Sequence, residues 1–208
     1  MPASHRLALD LRPATLDDVG MIADLEATRD PADPRDPEMM RYWWTSGSLS
    51  QVHSRLVAVR DGQAVAFVGA GHERWAERPE RFGSIRVVIR ADEWSQPEYV
   101  RLVRTGEGWL KSEGVVTAVA RVREDFKQEV EELRRIGYRE VRRLRFSELD
   151  LIANCESLLA ELAQAIELGS ERVRTANDDA KAPMLHINEG MGYRVVAPSI
   201  ELHRDLES

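Results

Sequence analysis

Few side chains in this sequence stand where their types and spacing could do chemistry. His72 and Glu73 are adjacent at the end of an apolar run. They are either a pair able to take a proton from a bound nucleophile or turn residues with no chemistry. Ser95-Gln96-Pro97-Glu98 has the S-x-x-E spacing of a capping box, in which both side chains satisfy the free N–H groups of a helix start. Asn177 falls at the end of a predicted strand, where its amide either reaches a ligand or caps a loop. Tyr42, Trp43, Trp44 and Trp75 offer aromatic surface for a pocket wall. Trp43 and Trp44 are adjacent on a predicted helix, so they point about 100° apart and one belongs to the core. None of the five histidines is at metal-ligand spacing from another or from a second cysteine, so no metal site is expected.

The bulk composition narrows the classes. The chain has 208 residues, 43% of them hydrophobic and 31% charged, which is ordinary for a globular protein with a packed core. A formal charge of −7 argues against a nucleic-acid or anionic-membrane partner. Arg139, Arg142, Arg143 and Arg145 fall on a predicted strand between acidic helices and read as a solvated strand face. Cys155 is the single cysteine, so no intrachain disulfide can form. No segment approaches membrane-spanning length and Met1–Arg12 lacks a signal-like apolar stretch, so a cytoplasmic protein is expected.

The elements that must position these residues follow from periodicity and punctuation. Leu7–Leu11 alternates as a first strand, and Thr15 caps a helix that runs to about Thr28. RDPADPRDPE, with three prolines, forces a loop before a short helix from Met39 to Trp44. Arg55–Arg60 and Gln63–Gly71 flank Asp61-Gly62, a two-residue hairpin signal. Strands are expected at Phe82–Ile89, Val115–Val122 and Arg139–Leu144, with helices at Gln96–Glu113 and Phe126–Ile136. Helix Cys155–Leu168, strand Glu171–Thr175, a helix near Lys181–Glu189 and strand Tyr193–His203 close the chain. The pattern is an α/β fold with a mixed sheet.

The C-terminal quarter repeats an earlier unit. Gly114 and Gly137 lie 23 residues apart, as do Gly169 and Gly192, and each second glycine precedes a tyrosine, Tyr138 or Tyr193. Each stretch reads helix, Gly, strand, helix, Gly-Tyr, strand. Two domains are therefore expected, a full lobe over 1–150 and a partial second lobe over 151–208.

These features resemble the GNAT superfamily of N-acetyltransferases. LRPATLDDVGMIADLEA is similar to the family's opening strand and capped helix, and GYREVRRLRFSELDL to its closing strands. RTANDDAKAPMLHINEGMGYR at 174–194 resembles the T-x-N…P-M-x-x-x-N-x-x-x-G-F/Y signature in the second lobe of two-lobed GNAT proteins such as mycothiol synthase. The resemblance implies transfer of an acetyl group from acetyl-CoA to an amine of a small molecule or peptide. It implies that the backbone of Val87, Val88 and Ile89 takes the pantetheine arm and that a glycine loop at the next helix start takes the pyrophosphate. Asn177 remains as a polar contact to the ligand, with Tyr42, Trp43 and Trp75 bordering the acceptor pocket.

The sequence departs from that pattern at the loop. Pro97 and Tyr99 occupy the two glycine positions, and Glu98 lies between them. Pro97 has no N–H to offer, and Glu98 in a capping box would fill the helix end with its own anion. Where the family places a tyrosine acid, four residues before the Gly-Tyr pair, this chain has Leu133 and Asn188. Two readings follow: an acetyltransferase with a degenerate pyrophosphate loop, or an inactive GNAT-fold protein serving as a binding or oligomerisation module. A half-lobe leaves a sheet edge to cover, which predicts packing on the first lobe or a homodimer.

Overall fold

A computed structural model describes residues 8–31, 34–46, 51–74, 81–150, 172–178 and 188–206. Among them, β1 (Arg12–Pro13), α1 (Val19–Arg29) and α2 (Pro37–Ser46) precede β2 (Gln51–Arg60), β3 (Gln63–Glu73) and β4 (Phe82–Ile89). Next come α3 (Gln96–Ser112), β5 (Thr117–Arg123), α4 (Lys127–Arg135), β6 (Arg139–Asp150), β7 (Arg172–Asp178) and β8 (Arg194–Asp205). The fold is mixed α/β, with eight strands and, counting a short 3-10 turn at Leu16–Asp18, five helices among the described residues.

The chain divides into two compact units. One comprises 1–120, 135–138 and 203–208; the other comprises 121–134 and 139–202. In the first, strands lie in the order β1-β2-β3-β4-β5. The first three pairings are antiparallel and β4–β5 is parallel. In the second, the end of β5 is followed by β8, β6 and β7, and β6–β7 is antiparallel. The predicted helix Cys155–Leu168 lies outside the described residues, as does most of Lys181–Glu189.

The hairpin signal at Asp61-Gly62 forms its turn, with φ of 51° and 74° at the two residues. Positive φ at both is what lets a two-residue turn match the strand twist. The opening strand is shorter and later than alternation suggests, because among the described residues of this segment only Arg12 and Pro13 pair with β2. Leu9 is buried but makes no ladder pairing; its backbone goes elsewhere, as shown below. At the next step Asp18 takes the Arg12 guanidinium through both carboxylate oxygens, at 2.7 and 2.8 Å, and accepts the Thr15 N–H.

Helices cover both faces of the first unit's sheet. Val57, Phe67 and Val88 belong to one core with Val19, Ile22 and Leu25 of α1. Successive strand residues point to opposite faces, so Val68 and Ile85 face the other way, toward Gly106 of α3. This accounts for β3, whose residues Ala64–Val68 are all buried. A strand covered on both faces reads as an unbroken apolar run.

Gly83 lets α3 pack tightly on the start of β4. A Cβ there would meet Leu110 Cδ2 at 2.6 Å and Val115 Cγ1 at 3.0 Å. At the far side of α3, buried Glu107 accepts from Arg204 at 2.9 Å and from Arg104 at 2.6 Å, which ties the end of β8 to the helix. Burial pushes the Glu107 carboxyl up and the Arg104 charge pulls it back, with burial prevailing. Gly83→Ala should destabilise the chain by about 1–3 kcal/mol, the usual cost of overpacking a tight contact, as measured by urea unfolding at unchanged m-value.

Candidate functional site

The first unit contains a strand edge and a helix start that together could hold an elongated anionic cofactor. The β4–β5 ladder runs from Phe82–Thr117 to Ile85–Ala120 and stops there. β4 continues to Ile89, paired with β3 through Arg86–Gly69, Val87–Val68, Val88–Phe67 and Ile89–Ala66. Over Val87–Ile89, therefore, one edge of β4 is bonded to β3 and the other has no ladder partner among the described residues. Backbone amides and carbonyls on such an edge can pair with an extended ligand as they would with a strand.

Six residues separate the end of β4 from the start of α3. Ser95 is its N-cap, with extended backbone and no side-chain cap bond. Tyr99 N–H makes the first helical bond, to the Ser95 carbonyl at 2.9 Å. The preceding N–H groups of Gln96 and Glu98 have no carbonyl four residues back inside the helix, and Pro97 has none to offer. Two outward amides and the positive end of a 17-residue helix suit an anion.

The expected capping box does not form. Glu98 turns away from Ser95 and accepts the Leu9 N–H at 2.9 Å and Arg101 Nε at 3.0 Å. Arg101 also donates to the Leu9 carbonyl at 2.7 Å, closing a ring of three residues. The physical reason is competition. A guanidinium on the same helix face, three residues on, bonds a carboxylate more strongly than one backbone amide does. Tyr99 also departs from expectation, because its ring is buried in the core and does not stand over the helix end.

The other acids of the approach are held in the same way. Asp92 accepts from Arg90 at 2.6 Å, and buried Glu93 pairs with Arg60 and, at 3.6 Å, with Arg90. The indole N–H of Trp94, one residue before the cap, is enclosed and has no acceptor among the described residues.

No protein-family model matches the chain, and no curated protein does. Solved structures do. A tandem GNAT protein from the clavulanic acid biosynthesis pathway, without AcCoA, aligns over 96% of this chain and 99% of its own at a TM-score of 0.76 and 11% identity. A GCN5-related N-acetyltransferase from Sphaerobacter thermophilus aligns over 96% of each chain at 0.71 and 14%. The chain has the GNAT acetyltransferase fold. A third GNAT-fold structure, described as an acetyltransferase from Salmonella typhimurium with its cofactor acetyl-CoA, covers 97% of this chain and 96% of its own at 0.59 and 11%.

Within this GNAT fold, the residues singled out from sequence are dispersed. Val87, Val88 and Ile89 lie on the part of β4 beyond the β5 ladder. Tyr42 and Trp43 on α2 are 62% and 51% exposed. Trp44 is the core member of that pair, stacked on Phe67 at 6.2 Å beneath the Arg55 guanidinium at 4.5 Å. Trp75 lies outside the described residues. Asn177 belongs to the second unit, with its backbone opposite Arg145 in the β6–β7 ladder.

His72 serves packing. Its ring is buried against Trp109, Nδ1 lies 2.9 Å from the Glu73 carbonyl, and Nε2 lies 3.6 Å from Glu113. Trp109 and Glu113 are at the C-terminal end of α3, about 21–27 Å along the helix from Ser95 at 1.5 Å per residue. The pair cannot serve chemistry at the other end. Leu133 is buried and apolar, and Asn188 is buried. Arg101 and Leu9 were missed by sequence reasoning. The Glu98/Arg101 spacing of three on one helix was a visible signal, whereas nothing local pointed to Leu9.

The Glu98 contacts carry a pH signature. Burial presses its carboxyl up, but the Arg101 side chain, the Leu9 N–H and the Arg101 charge outweigh it and hold the group below its usual range. A carboxyl depressed by folding stabilises above its unfolded pKa, about 4.3 for glutamate, and loses that contribution as pH falls through the lower folded value. Glu98→Gln should therefore be less stable than the parent at pH 7, with the gap closing below about pH 4, as followed by urea unfolding across pH.

Proposed function

We propose that this chain is an N-acetyltransferase that takes an acetyl group from acetyl-CoA and delivers it to an amine of a small molecule or peptide. The observation that carries the reading is the uncapped start of α3 beside the unpaired edge of β4. The fold it shares with structures that include one holding acetyl-CoA gives the pairing its context. The non-catalytic alternative rested on a helix end already filled by its own side chains, and Ser95 and Glu98 do not fill it.

The residues present fit such a cofactor. In this reading the backbone of Val87, Val88 and Ile89 lies along the pantetheine arm as a further strand would. The amides of Gln96 and Glu98 meet the pyrophosphate, with the helix dipole behind them. Pro97 removes one donor of the usual set, so the loop is degenerate in donor count while remaining open. Bound acetyl-CoA supplies an activated acyl group; the chain's task is to hold it in line with the amine and exclude competing water. Leu133 and Asn188, at the positions of the expected acid, have no proton to give in the useful range, so neither would serve as the acid for a thiolate leaving group.

Tyr42 and Trp43 supply exposed aromatic surface for an acceptor, with Trp75 a further proposed wall residue; Asn177, in the second unit, is proposed separately as a polar ligand contact. The proposal keeps the partial second lobe over 151–208 and a homodimer. β7, at the end of the strand order with β6 on one side, is the edge such a dimer would cover. No helix among the described residues is long and apolar enough to cross a membrane.

Titration with acetyl-CoA tests the central claim. At about a hundred times its dissociation constant the ligand should stabilise the chain by about 2.7 kcal/mol, seen as a rise in Tm. Release of free thiol in the presence of an amine panel should then identify the acceptor class. A melting curve unmoved by millimolar acetyl-CoA rules the reading out.

A further inference from the structure

The proposed cofactor site places an anion where the helix already carries a carboxylate. Glu98 is the third residue of α3, the position from which a glutamate side chain reaches the N-cap amide. Folded back that way it would consume a donor and set a full negative charge beside the incoming pyrophosphate. It is instead held by Arg101 and by the Leu9 N–H, with its side chain 13% exposed. Arg101 in turn grips the Leu9 carbonyl, so its guanidinium is held against the Leu9 backbone.

We propose that Arg101 is a positioning residue for acetyl-CoA binding: by clasping Glu98 against the Leu9 backbone, it keeps the carboxylate off the first-turn amides of α3 and leaves them open to the pyrophosphate. This rests on the acetyl-CoA reading given above. It goes beyond that reading in assigning the open state of the site to one removable side chain. Asp92 and Glu93 have their own arginine partners, Arg90 and Arg60. Among the three acids, removing Arg101 therefore releases Glu98 alone, together with the Leu9 carbonyl that Arg101 also holds.

The competition is between alternative partners of one carboxylate. With Arg101 present, Glu98 accepts charge-assisted bonds outside the helix end. Without it, the strongest local donors left are the Leu9 N–H and the free amide of the cap, and the helix dipole favours the second. The loss of affinity is then caused by Glu98, which makes the role separable from simple destabilisation.

Isothermal titration of coenzyme A into the full chain, with the melting temperature recorded for each variant, tests this. Arg101→Met should raise Kd about tenfold or more, equivalent to about 1.4 kcal/mol. Glu98→Gln alone should bind at least as well as the parent. The double variant Arg101→Met/Glu98→Gln should return Kd to within about threefold of the parent, even if its melting temperature stays low. Arg101→Lys, which keeps one cation near Glu98, should bind better than Arg101→Met.

Binding by the parent chain with an unchanged Kd in Arg101→Met overturns the role of Arg101 and leaves the acetyl-CoA reading standing. So does a loss in Arg101→Met that Glu98→Gln fails to restore, because Arg101 would then act on the ligand directly or through the fold. If Arg101→Met does not fold, weaker binding by Glu98→Gln than by the parent overturns the role, and tighter or equal binding supports it. No binding by the parent chain overturns the acetyl-CoA reading and this inference with it.

Discussion

A carboxylate at the start of a helix has two places to go, and which one it takes decides what the helix end can hold. It can bend back to the amides of its own first turn, where the helix dipole welcomes it. It can also be drawn outward by a cation. In this chain Glu98 is drawn outward, by Arg101 one turn along α3 and by the backbone of Leu9, 89 residues earlier in the sequence. The amides that remain are uncapped, and they lie just past the strand whose ladder with β5 ends after Ile85. The rest of the first unit supports this arrangement. β3 is buried along Ala64–Val68, and Gly83 at the start of β4 lets the C-terminal part of α3, at Leu110, pack closely on that strand.

The same logic extends to the approach. From Arg90 to Arg101 the chain carries three carboxylates, and each has an arginine partner in contact. A net charge of −7 would repel a polyanionic ligand if these acids were free. Pairing each locally turns an acidic stretch into one close to neutral over the distance that matters. Coulomb repulsion between close charges falls steeply with distance and with screening beyond about 8–10 Å. The global charge is therefore a poor guide to what the α3 start can bind, and the local pairing is the better one.

Much of the fold was legible because it is written in local codes. The Asp61-Gly62 turn, the β4 strand at Phe82–Ile89 and the α3 start at Gln96 appear where turn chemistry, alternation and helix signals put them. Misreadings arose where two local codes competed or where a distant segment intervened. LALDL alternates like a strand, yet Leu9 gives its N–H and carbonyl to α3, and pairing begins only at Arg12. Ser95-Gln96-Pro97-Glu98 carries the spacing of a capping box, yet the E-x-x-R spacing of Glu98 and Arg101 overlaps it, and the stronger bond took the shared carboxylate. The adjacency of His72 and Glu73 left a proton-accepting pair and turn residues with no chemistry both open. In the fold His72 is packed among Trp109 and Glu113, at the wrong end of α3.

The substitution of Pro97 and Tyr99 for loop glycines also reads differently once the side chains are placed. A glycine in such a loop does two things: it keeps side-chain bulk away from the ligand, and it permits unusual φ. Tyr99 achieves the first by turning inward, where it is 3% exposed and part of the core that fixes α3. Pro97 lies in the first turn, the one region of a helix where a missing N–H breaks no internal bond. Neither residue blocks the helix end. What the chain gives up is one donor amide, and what it gains is a first turn whose backbone is held more rigidly before any ligand arrives. A pre-ordered site loses less conformational entropy on binding, so fewer donors need not mean a proportionate loss of affinity. The number of glycines in the loop sequence is thus a weaker test of cofactor competence than the destination of the single carboxylate beside them.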